Sequence, residues 1–291
     1  MKLRLEIDGR TGLCCLIGDP VEHSVSPAMH NSAYQALGLN YVYLAVKVRR
    51  NTLKTAVEGL KALNVRGINV TTPHKVSIIP ILDEVDEEAQ SIGAVNTVLN
   101  EEGLLKGYNT DAAGALKAIG EEKIEGKNVV ILGAGGAARA IATAVSGRCS
   151  KLTILNRTKS KAKRLAKKIS EKTGLKTGWG SLGDAARWMN DCQVLINATP
   201  VGMHPYTEAS PIQAKWLKKG MTVFDAVYNP SETKLLRNAR ARGAEAISGL
   251  EMLVQQAAGS IKIWFNLEPN VELMRRAAVK ALDQSRRLDQ A

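Results

Sequence analysis

Aromatic residues and cysteines are scarce in this sequence of 291 residues. Aromatic residues make up 4 % of the chain, with only two phenylalanines, so there is little to stack on single-stranded bases. The cysteines have no metal-ligand spacing, and most of them lie in or beside apolar runs, where a thiol packs as a small hydrophobic group. We therefore expect no nucleic-acid partner, no metal site and no redox role for Cys14, Cys15, Cys149 or Cys192.

Long apolar runs are also missing from the sequence. No stretch approaches the roughly 18 residues that are needed to span a bilayer. The N-terminal segment alternates charged and apolar side chains and lacks the hydrophobic core of a signal peptide. The length suits two domains of ordinary size. These features predict a cytoplasmic protein of two domains with no membrane partner.

Acidic residues are outnumbered, since 28 Asp and Glu stand against 40 Lys and Arg, and the formal net charge is +12. Such an excess is typical of proteins that bind nucleic acid, anionic membranes or small anionic ligands, but a solvated helix face gives the same composition. The densest basic run falls in residues 159–168, where apolar residues recur with the helical period. We therefore assign most of the excess to the protein surface.

Short apolar segments alternate with helical patterns along most of the chain, which predicts an α/β fold with parallel strands. The first part has predicted strands at 13–18, 41–48 and 67–70 and a hairpin around 100–103. One helix is predicted to begin at Pro27, with Ser26 as its N-cap, and another at Pro73. The second part, with strands at 128–132, 152–155, 194–197 and 222–226, has the pattern of a doubly wound parallel sheet. After residue 249 the pattern is helical. We predict one domain at 112–248 and another formed by 1–111 with 249–291, on which the C-terminal helices pack back.

A glycine-rich turn follows the strand 128–132 and opens the next helix. Glycine in this context permits a tight turn and lets the backbone approach a pyrophosphate, whose charge then lies on the N–H groups of the helix N-terminus. Turns of this kind also occur without a ligand. The pattern favours a Rossmann-type, dinucleotide-binding domain whose turn consists of Gly133, Ala134, Gly135, Gly136 and Ala137.

The end of the next strand distinguishes between two cofactors. NAD-binding domains usually carry an acidic residue there, which bonds the ribose 2′-hydroxyl. Here the strand ends in Asn156, Arg157 and Thr158, with Lys161 one helical turn beyond. An acidic side chain would repel a 2′-phosphate, whereas arginine offers it a forked donor. The segment favours NADP, the alternative being that Arg157 is simply exposed.

Three polar clusters in the first domain are candidates for a substrate site. In the first cluster, Ser24 and Ser26 stand at a strand-to-helix turn, where both hydroxyls can point at a ligand carboxylate and the helix dipole supports its charge. Ser26 is equally suited to cap the helix that Pro27 opens, with Ser24 as a simple turn residue. From these residues alone the two interpretations are about even.

The second cluster follows the strand 67–70, where Pro73 is predicted to start a short helix with Lys75 in its first turn. Lys75 is either a solvated surface charge or an acid/base group beside a bound substrate. The third cluster places two amides and one carboxylate at strand or helix ends, and it includes Asn96 and Asp111. Asp111 is also a natural helix N-cap.

Together these segments resemble the shikimate dehydrogenase family along nearly the whole chain. Each motif is weak alone, but all of them occur in the family's order, and the set is highly specific. The motifs are SVSP (24–27), NVTTPHK (69–75), GAVNT (93–97), NTD (109–111), GAGGA (133–137), NRT (156–158), NATPVGM (197–203) and GLEMLVQQA (249–257).

The resemblance implies a role for each matched residue on the substrate side. Ser24 and Ser26 hold the substrate carboxylate, with Tyr228 nearby. Lys75 is the acid/base group and is paired with Asp111. The residues that bond the ring hydroxyls are Thr71, Asn96, Asp111 and Gln256.

On the cofactor side, the resemblance implies that the turn 133–137 cradles the pyrophosphate and that Asn156 to Lys161 bind the adenosine 2′-phosphate of NADP. The nicotinamide is framed by the segment from Thr199 to Met203 together with Ala226 and Gly249. Glu87 stands where the family has a cofactor-side residue, although no strong motif anchors it. No metal is required.

The implied activity is that of an NADP-dependent oxidoreductase of the shikimate pathway, which leads to chorismate and the aromatic amino acids. The reaction is the reversible reduction of 3-dehydroshikimate to shikimate. In the oxidation direction, a ring hydroxyl loses its proton toward Lys75 while its carbon gives hydride to C4 of NADP⁺. The alternatives are a quinate/shikimate dehydrogenase that also uses NAD and a non-catalytic NADP-binding sensor. The sequence leaves a homodimer open.

Overall fold

A computed structural model describes residues 7–288, with side chains described up to residue 284. The chain divides into two compact units, one formed by the residues up to Thr110 and from Val254 onward, the other by Asp111–Leu253. Each unit is built on a six-stranded sheet. Among residues 7–288, no helix combines the length and apolar character that a membrane crossing needs.

Strands alternate with helices along the described chain, as the sequence predicts. In chain order the strands are β1 (Gly12–Gly18), β2 (Tyr41–Lys47), β3 (Gly67–Val70), β4 (Glu84–Val85), β5 (Thr97–Glu101), β6 (Leu104–Tyr108), β7 (Asn128–Leu132), β8 (Lys151–Leu155), β9 (Gly178–Gly180), β10 (Val194–Asn197), β11 (Thr222–Asp225) and β12 (Glu245–Ser248). The helices are α1 (Ser26–Ala36), α2 (Leu53–Ala62), α3 (Glu87–Ile92), α4 (Asp111–Ile119), α5 (Gly136–Ser146), α6 (Lys159–Thr173), α7 (Ala185–Trp188), α8 (Lys234–Ala241), α9 (Leu250–Phe265) and α10 (Val271–Leu288).

The first unit contains a mixed sheet in the order β2-β1-β3-β5-β6-β4. β1 pairs in parallel with β2 and β3, whereas β5 runs antiparallel to both β3 and β6. The sheet is mixed rather than wholly parallel because β5 and β6 form the predicted hairpin around 100–103, with Glu101 opposite Leu104. The parallel part places the carboxyl ends of β1 and β3 side by side, at the edge where ligands of parallel sheets bind.

The C-terminal helices pack back on this first unit, as predicted. Trp264 of α9 is fully buried, and its Nε1 donates a hydrogen bond to the Val98 carbonyl of β5 at 2.9 Å. Arg66 Nε donates to the carbonyl of Trp264 at 3.0 Å. A Cβ atom at Gly67 would lie 2.3 Å from the Trp264 ring, so the indole can pack on β3 only because this position is glycine.

The second unit contains a wholly parallel sheet in the order β12-β11-β10-β7-β8-β9. Val129 and Ile131 of β7 pack in one core with α5 and α6, whereas Val130 and Leu132 pack in a second core with α7 and α8. Because neighbouring residues of a strand point to opposite faces, both faces of the sheet are covered. The strand order reverses between β7 and β10, which makes this unit the predicted doubly wound, Rossmann-type fold.

The predicted N-cap role of Ser26 is wrong. Helix α1 begins at Ser26 itself, the cap position is Val25, and no side chain caps the helix. Ser24 supplies the local acceptor instead, since the Ser26 N–H donates to Ser24 Oγ at 3.2 Å. The Ser26 hydroxyl is therefore not committed to the start of the helix.

The helix predicted to start at Pro73 is also wrong. The backbone after β3 forms turns, in which the His74 N–H donates to the Thr71 carbonyl at 2.8 Å. The Lys75 carbonyl accepts the N–H of Val95, on a neighbouring segment, at 2.7 Å. This pairing takes the place of a helical bond, so the chain stays in a turn.

Candidate active site

The carboxyl ends of β1 and β3 carry two of the predicted substrate-binding segments. Thr71, which follows β3, donates its N–H to the carbonyl of Ile17 at 2.9 Å. Gly18 permits this approach, because a Cβ atom there would lie 2.3 Å from the Thr71 side chain. The chain then leads from β1 to Ser24, which is half-buried, and to Ser26, which is buried.

Lys75 lies in the turn after β3 and is half-buried. Its carbonyl accepts the N–H of Val95 at 2.7 Å, and the carbonyl of Asn96 accepts the N–H of Val70 at 2.8 Å. These two bonds join the turn that carries the lysine to the segment that precedes β5. The structure thus places Thr71, Lys75 and Asn96 on adjacent backbone segments at one edge of the sheet.

The side chain of Asn96 is held in one orientation by its neighbours. It is 2 % exposed, and its Oδ1 accepts the N–H of Thr110 at 2.8 Å. Its Nδ2 donates to Thr110 Oγ1 at 2.9 Å and to Gln256 Oε1 at 3.3 Å. Gln256 lies on α9, so the structure joins two predicted ligand groups from distant parts of the sequence.

Asn69 supports this arrangement, although the sequence predicts no role for it. Its Nδ2 is within hydrogen-bond distance of the Asn96 carbonyl (3.1 Å), Thr97 Oγ1 (3.2 Å) and Ser260 Oγ (2.9 Å). Its Oδ1 accepts the hydroxyl of Tyr43 at 2.8 Å. The one sign in the sequence is a polar residue within a short strand that is otherwise apolar.

Two further predicted substrate residues belong to the second unit. Asp111 is the first residue of α4 and is 4 % exposed. Tyr228 is half-buried in the loop that follows β11. Both residues fall in the second unit of the structure, whereas Lys75 falls in the first.

The glycine turn between β7 and α5 fits a dinucleotide. Gly133 has φ of +119°, and a Cβ atom there would lie 2.8 Å from the Ala198 carbonyl oxygen, so the turn itself requires glycine. At Gly135 a Cβ atom would meet no protein atom within 4 Å, so protein packing does not require glycine at that position. A pyrophosphate that approaches the backbone closely at the N-terminus of α5 would require it.

The loop between β8 and α6 carries the residues predicted to bind the 2′-phosphate. Arg157, Thr158 and Lys161 are exposed, and Asn156 Nδ2 donates to the Thr158 carbonyl at 3.0 Å. Within the part of the chain that the structure describes, neither Arg157 nor Lys161 takes part in an ion pair. Both cations can therefore bind a phosphate, which fits NADP rather than NAD.

The residues predicted to frame the nicotinamide follow β10 and β11. Thr199 donates both its N–H and its hydroxyl to Asn197 Oδ1, at 3.0 Å and 2.7 Å. Gly249 is packed against Ala226, because a Cβ atom at Gly249 would lie 2.5 Å from the Ala226 carbonyl oxygen. Met203 is 41 % exposed. The carboxyl edge of the second sheet thus gathers the cofactor residues that the sequence assigns to this unit.

Glu87 differs from the other predicted cofactor residues in belonging to the first unit. It is exposed and is the first residue of α3, in the first unit. The cap of this helix is Asp86, whose side chain accepts the N–H of Glu88. These contacts explain the start of the helix and give no sign of a ligand, so the role of Glu87 stays a prediction.

The four cysteines are buried and free of disulfides. Burial raises the pKa of Cys14, Cys15 and Cys192 to about 12, and that of Cys149 to about 11. Thiols with such values stay protonated near neutral pH and are poor nucleophiles. Among the described side chains, no group of three or more His, Cys, Asp or Glu residues could hold a metal ion.

The second unit combines a doubly wound parallel sheet, a glycine turn at a helix N-terminus and two cations at the end of β8. Together with the polar cluster of the first unit, these features define the class of protein, a two-domain, NADP-dependent oxidoreductase. The family models that match are the shikimate dehydrogenase substrate binding domain over residues 16–98, shikimate / quinate 5-dehydrogenase over residues 115–226, and the shikimate 5′-dehydrogenase C-terminal domain over residues 249–279. The chain belongs to the shikimate dehydrogenase family.

Individual relatives agree with this assignment. A shikimate dehydrogenase (NADP(+)) from Moorella thermoacetica is 45 % identical over 286 residues, which cover 97 % of each chain. A crystal structure of a shikimate dehydrogenase in complex with NADP⁺ has a TM-score of 0.88 at 45 % identity and covers 95 % of this chain and 98 % of its own. The enzyme from Thermus thermophilus, solved with NADP(H) and shikimate, has a TM-score of 0.82 at 38 % identity and covers 93 % of this chain and 99 % of its own.

Proposed function

We propose that this chain catalyses the reversible, NADP-dependent reduction of 3-dehydroshikimate to shikimate, with Lys75 as the acid/base group. The observation that carries the proposal is the connected cluster of the first unit, in which backbone bonds join the Lys75 turn to Asn96 and Asn96 is bonded to Gln256. With Thr71, these residues supply an amine, two amides and a hydroxyl, which are the groups that a small polyhydroxylated substrate needs. A relative with this fold binds NADP(H) and shikimate.

We assign the substrate carboxylate to Ser24 and Ser26. They stand at the start of α1, where the N–H groups and the dipole of the helix favour an anion. The bond from the Ser26 N–H to Ser24 Oγ does not use the hydroxyl hydrogen of Ser24, which can donate to a carboxylate. Tyr228 is proposed as a further carboxylate contact. The residues proposed to bond the ring hydroxyls are Thr71, Asn96, Asp111 and Gln256.

Lys75 is proposed to move the proton. In the oxidation direction its neutral amine accepts the proton of the ring hydroxyl, while the C–H bond of the same carbon breaks and the hydrogen leaves with its electron pair. Bound NADP⁺ supplies the hydride acceptor, C4 of its nicotinamide. In the reduction direction the Lys75 ammonium group donates a proton to the carbonyl oxygen and stabilises the negative charge that develops there. Asp111 is proposed as the second catalytic residue.

We propose that residues 112–248 form the NADP-binding domain and that 1–111 with 249–291 form the substrate-binding domain. In the NADP-binding domain, the turn 133–137 is assigned to the pyrophosphate and the segment 156–161 to the 2′-phosphate. Thr199, Met203 and Ala226, with Gly249, are assigned to the nicotinamide. Fixed donors of this kind lower the barrier by holding the reacting groups in place before the reaction.

The steady-state rates of oxidation of shikimate and of quinate, each with NADP⁺ and with NAD⁺, test the proposal. We expect the highest kcat/KM for shikimate with NADP⁺. Comparable values for quinate, or for NAD⁺, would favour the alternative of a quinate/shikimate dehydrogenase. Binding of NADP⁺ without turnover of either substrate would instead favour a sensor that has lost catalysis.

We also propose a cytoplasmic location, and a homodimer stays an open possibility. Four free, buried cysteines suit a reducing compartment. Fractionation of the source cells would test the location, since recovery with the cytoplasmic proteins is expected. Light scattering on the purified protein distinguishes the mass of two chains from the mass of one.

A further inference from the structure

A buried carboxylate at the end of β11 has no part in the proposed reaction. Asp225 is fully buried, and it lies beside Asn197 at the end of the neighbouring strand β10, in parallel register. A buried carboxylate is costly unless its oxygens accept hydrogen bonds. Asp225 stands between the two loops that carry the predicted nicotinamide residues.

The two oxygens of Asp225 accept three hydrogen bonds. Oδ1 accepts from Asn197 Nδ2 at 2.9 Å and from the N–H of Val227 at 3.0 Å. Oδ2 accepts from the hydroxyl of Thr233 at 2.6 Å. All three donors are neutral, and desolvation raises the pKa of Asp225 to about 6 against the lowering effect of these bonds. Among the described side chains none forms an ion pair with Asp225, so directed hydrogen bonds hold this carboxylate.

The two donors on Oδ1 come from the ends of two strands, since Asn197 is the last residue of β10 and Val227 follows β11. Asn197 in turn holds the loop after β10. Its Oδ1 accepts the N–H of Thr199 at 3.0 Å and the Thr199 hydroxyl at 2.7 Å, and its Nδ2 lies 3.4 Å from the carbonyl of Val201. Val227 is the neighbour of Tyr228 in the loop after β11. One oxygen atom thus fixes both the loop after β10 and the loop after β11.

The donor to Oδ2 is the residue that caps helix α8. Thr233 is the N-cap of α8, and its Oγ1 accepts the N–H of Leu236 at 3.3 Å. This contact ties the carboxylate to the start of α8, at the far end of the loop after β11 and five residues beyond Tyr228. The two oxygens can therefore be tested separately.

We infer that Asp225 is a positioning residue for hydride transfer, whose Oδ1 holds the loop of Thr199 and the loop of Ala226 and Tyr228 in the arrangement that receives the nicotinamide and the substrate carboxylate. The inference rests on the proposed function, because Thr199 and Tyr228 are assigned by that proposal. The adenosine half of the cofactor is assigned to other segments, at Gly133 and Arg157. On the cofactor, a defect at Asp225 is therefore expected at the nicotinamide end and not at the adenosine end.

The test compares three variants of the full chain. Asp225→Ala removes both oxygens, Asp225→Asn keeps one oxygen that can accept from Asn197 and Val227, and Thr233→Val removes only the donor to Oδ2. The affinities for NADP⁺ and for 2′,5′-ADP, a probe of the adenosine half, are measured by calorimetry, and kcat is measured with shikimate. The melting temperature of each variant is recorded beside these values.

We expect Asp225→Ala to weaken NADP⁺ binding by about tenfold or more and to lower kcat, while 2′,5′-ADP binds within about twofold of wild type. Asp225→Asn should restore most of this loss, and Thr233→Val should lose stability but keep both affinities. If kcat and NADP⁺ affinity fall in proportion to melting temperature in Asp225→Ala and Thr233→Val alike, Asp225 is only structural. Equal losses for NADP⁺ and 2′,5′-ADP would also overturn the inference.

The test does not depend on the reaction alone. If Asp225→Ala fails to fold, Asp225→Asn and Thr233→Val provide the test. The inference requires both variants to keep most of the wild-type affinity for NADP⁺. If the wild-type chain does not oxidise shikimate, the proposed function fails. The ratio of NADP⁺ to 2′,5′-ADP affinity still reports on Asp225 in that case.

Discussion

Replacement of Asn69 by alanine is the perturbation whose cost follows most directly from the structure. The variant removes an amide whose Nδ2 lies within hydrogen-bond distance of three acceptors and whose Oδ1 accepts a hydrogen bond from one hydroxyl. Two of these partners keep other bonds, since the Thr97 and Ser260 hydroxyls lie 2.9 Å apart. The Asn96 carbonyl still accepts the N–H of Val70 at 2.8 Å. The main loss therefore falls on the Tyr43 hydroxyl, whose acceptor at 2.8 Å disappears.

The magnitude is the sum of two contributions. Removal of the acceptor of a buried hydroxyl costs about 1–3 kcal/mol. The space left by the amide adds about 1 kcal/mol, because the surrounding sheet can collapse only partly. We expect Asn69→Ala to lower the free energy of unfolding by about 2–4 kcal/mol. Asn69→Ala also removes the bonds from the Asn69 amide to the Asn96 carbonyl and to Ser260 on α9, the helix that carries Gln256. The KM for shikimate should therefore rise.

Urea unfolding of wild type, Asn69→Ala, Tyr43→Phe and the double variant measures this cost. Because the two residues are in contact, the double variant should lose less than the sum of the single losses. Asn100→Ala is the matched control, a buried asparagine on β5 whose Oδ1 accepts the N–H of Gly103 and whose Nδ2 has no partner among the described residues. Additive losses, or a KM for shikimate that changes as little in Asn69→Ala as in Asn100→Ala, would refute the reasoning.

Three further predictions follow from the site. Arg157→Ala should raise the KM for NADP⁺ by about 10- to 150-fold and leave that for NAD⁺ nearly unchanged, and equal losses for both cofactors would contradict the assignment. Changing Ser24 and Ser26 together to alanine should weaken shikimate binding with little change in melting temperature, since neither side chain caps α1; normal binding with a lowered melting temperature would show a structural role. Because burial raises the pKa of Asp225 from 3.8 to about 6, its contribution to stability is most favourable below pH 3.8 and is lost as the pH rises through about 6. Denaturant unfolding at several pH values should therefore show the free energy of unfolding of Asp225→Asn rising relative to that of wild type between pH 4 and pH 7. A difference between the two free energies that does not change with pH would exclude this charge effect.

The sequence predicts structure best where a local apolar pattern coincides with a buried strand or helix. The strand Asn128–Leu132, its glycine turn and the helix Gly136–Ser146 were all predicted, because an apolar run bounded by glycine has few other solutions. Ser26 and Pro73 show the limit of local signals. Both resemble helix starts, but in one case the helix takes in the serine, and in the other a bond between Lys75 and Val95 keeps the chain in a turn.

The sequence also does not predict the short strands at the sheet edges. β4 and β9 have two and three residues, and their pairing depends on neighbours rather than on an apolar pattern of their own. The same reason hides the buried partners of the site. Asn69 meets Ser260 across 191 residues, and Asp225 meets Asn197 because β10 and β11 are adjacent. Motifs identified the groups assigned to the ligands, whereas the groups that hold them emerge only from tertiary contacts.

The central claim is that the turn after β3 carries the proton transfer, and the turnover number of Lys75→Ala with shikimate and NADP⁺ tests it most directly. A positioned acid/base group contributes about 10²–10⁴ in rate. We predict a fall in kcat of at least about a hundredfold, with NADP⁺ affinity unchanged and shikimate affinity changed far less than kcat. A turnover number within a few-fold of wild type would contradict the claim and move the acid/base role to Asp111.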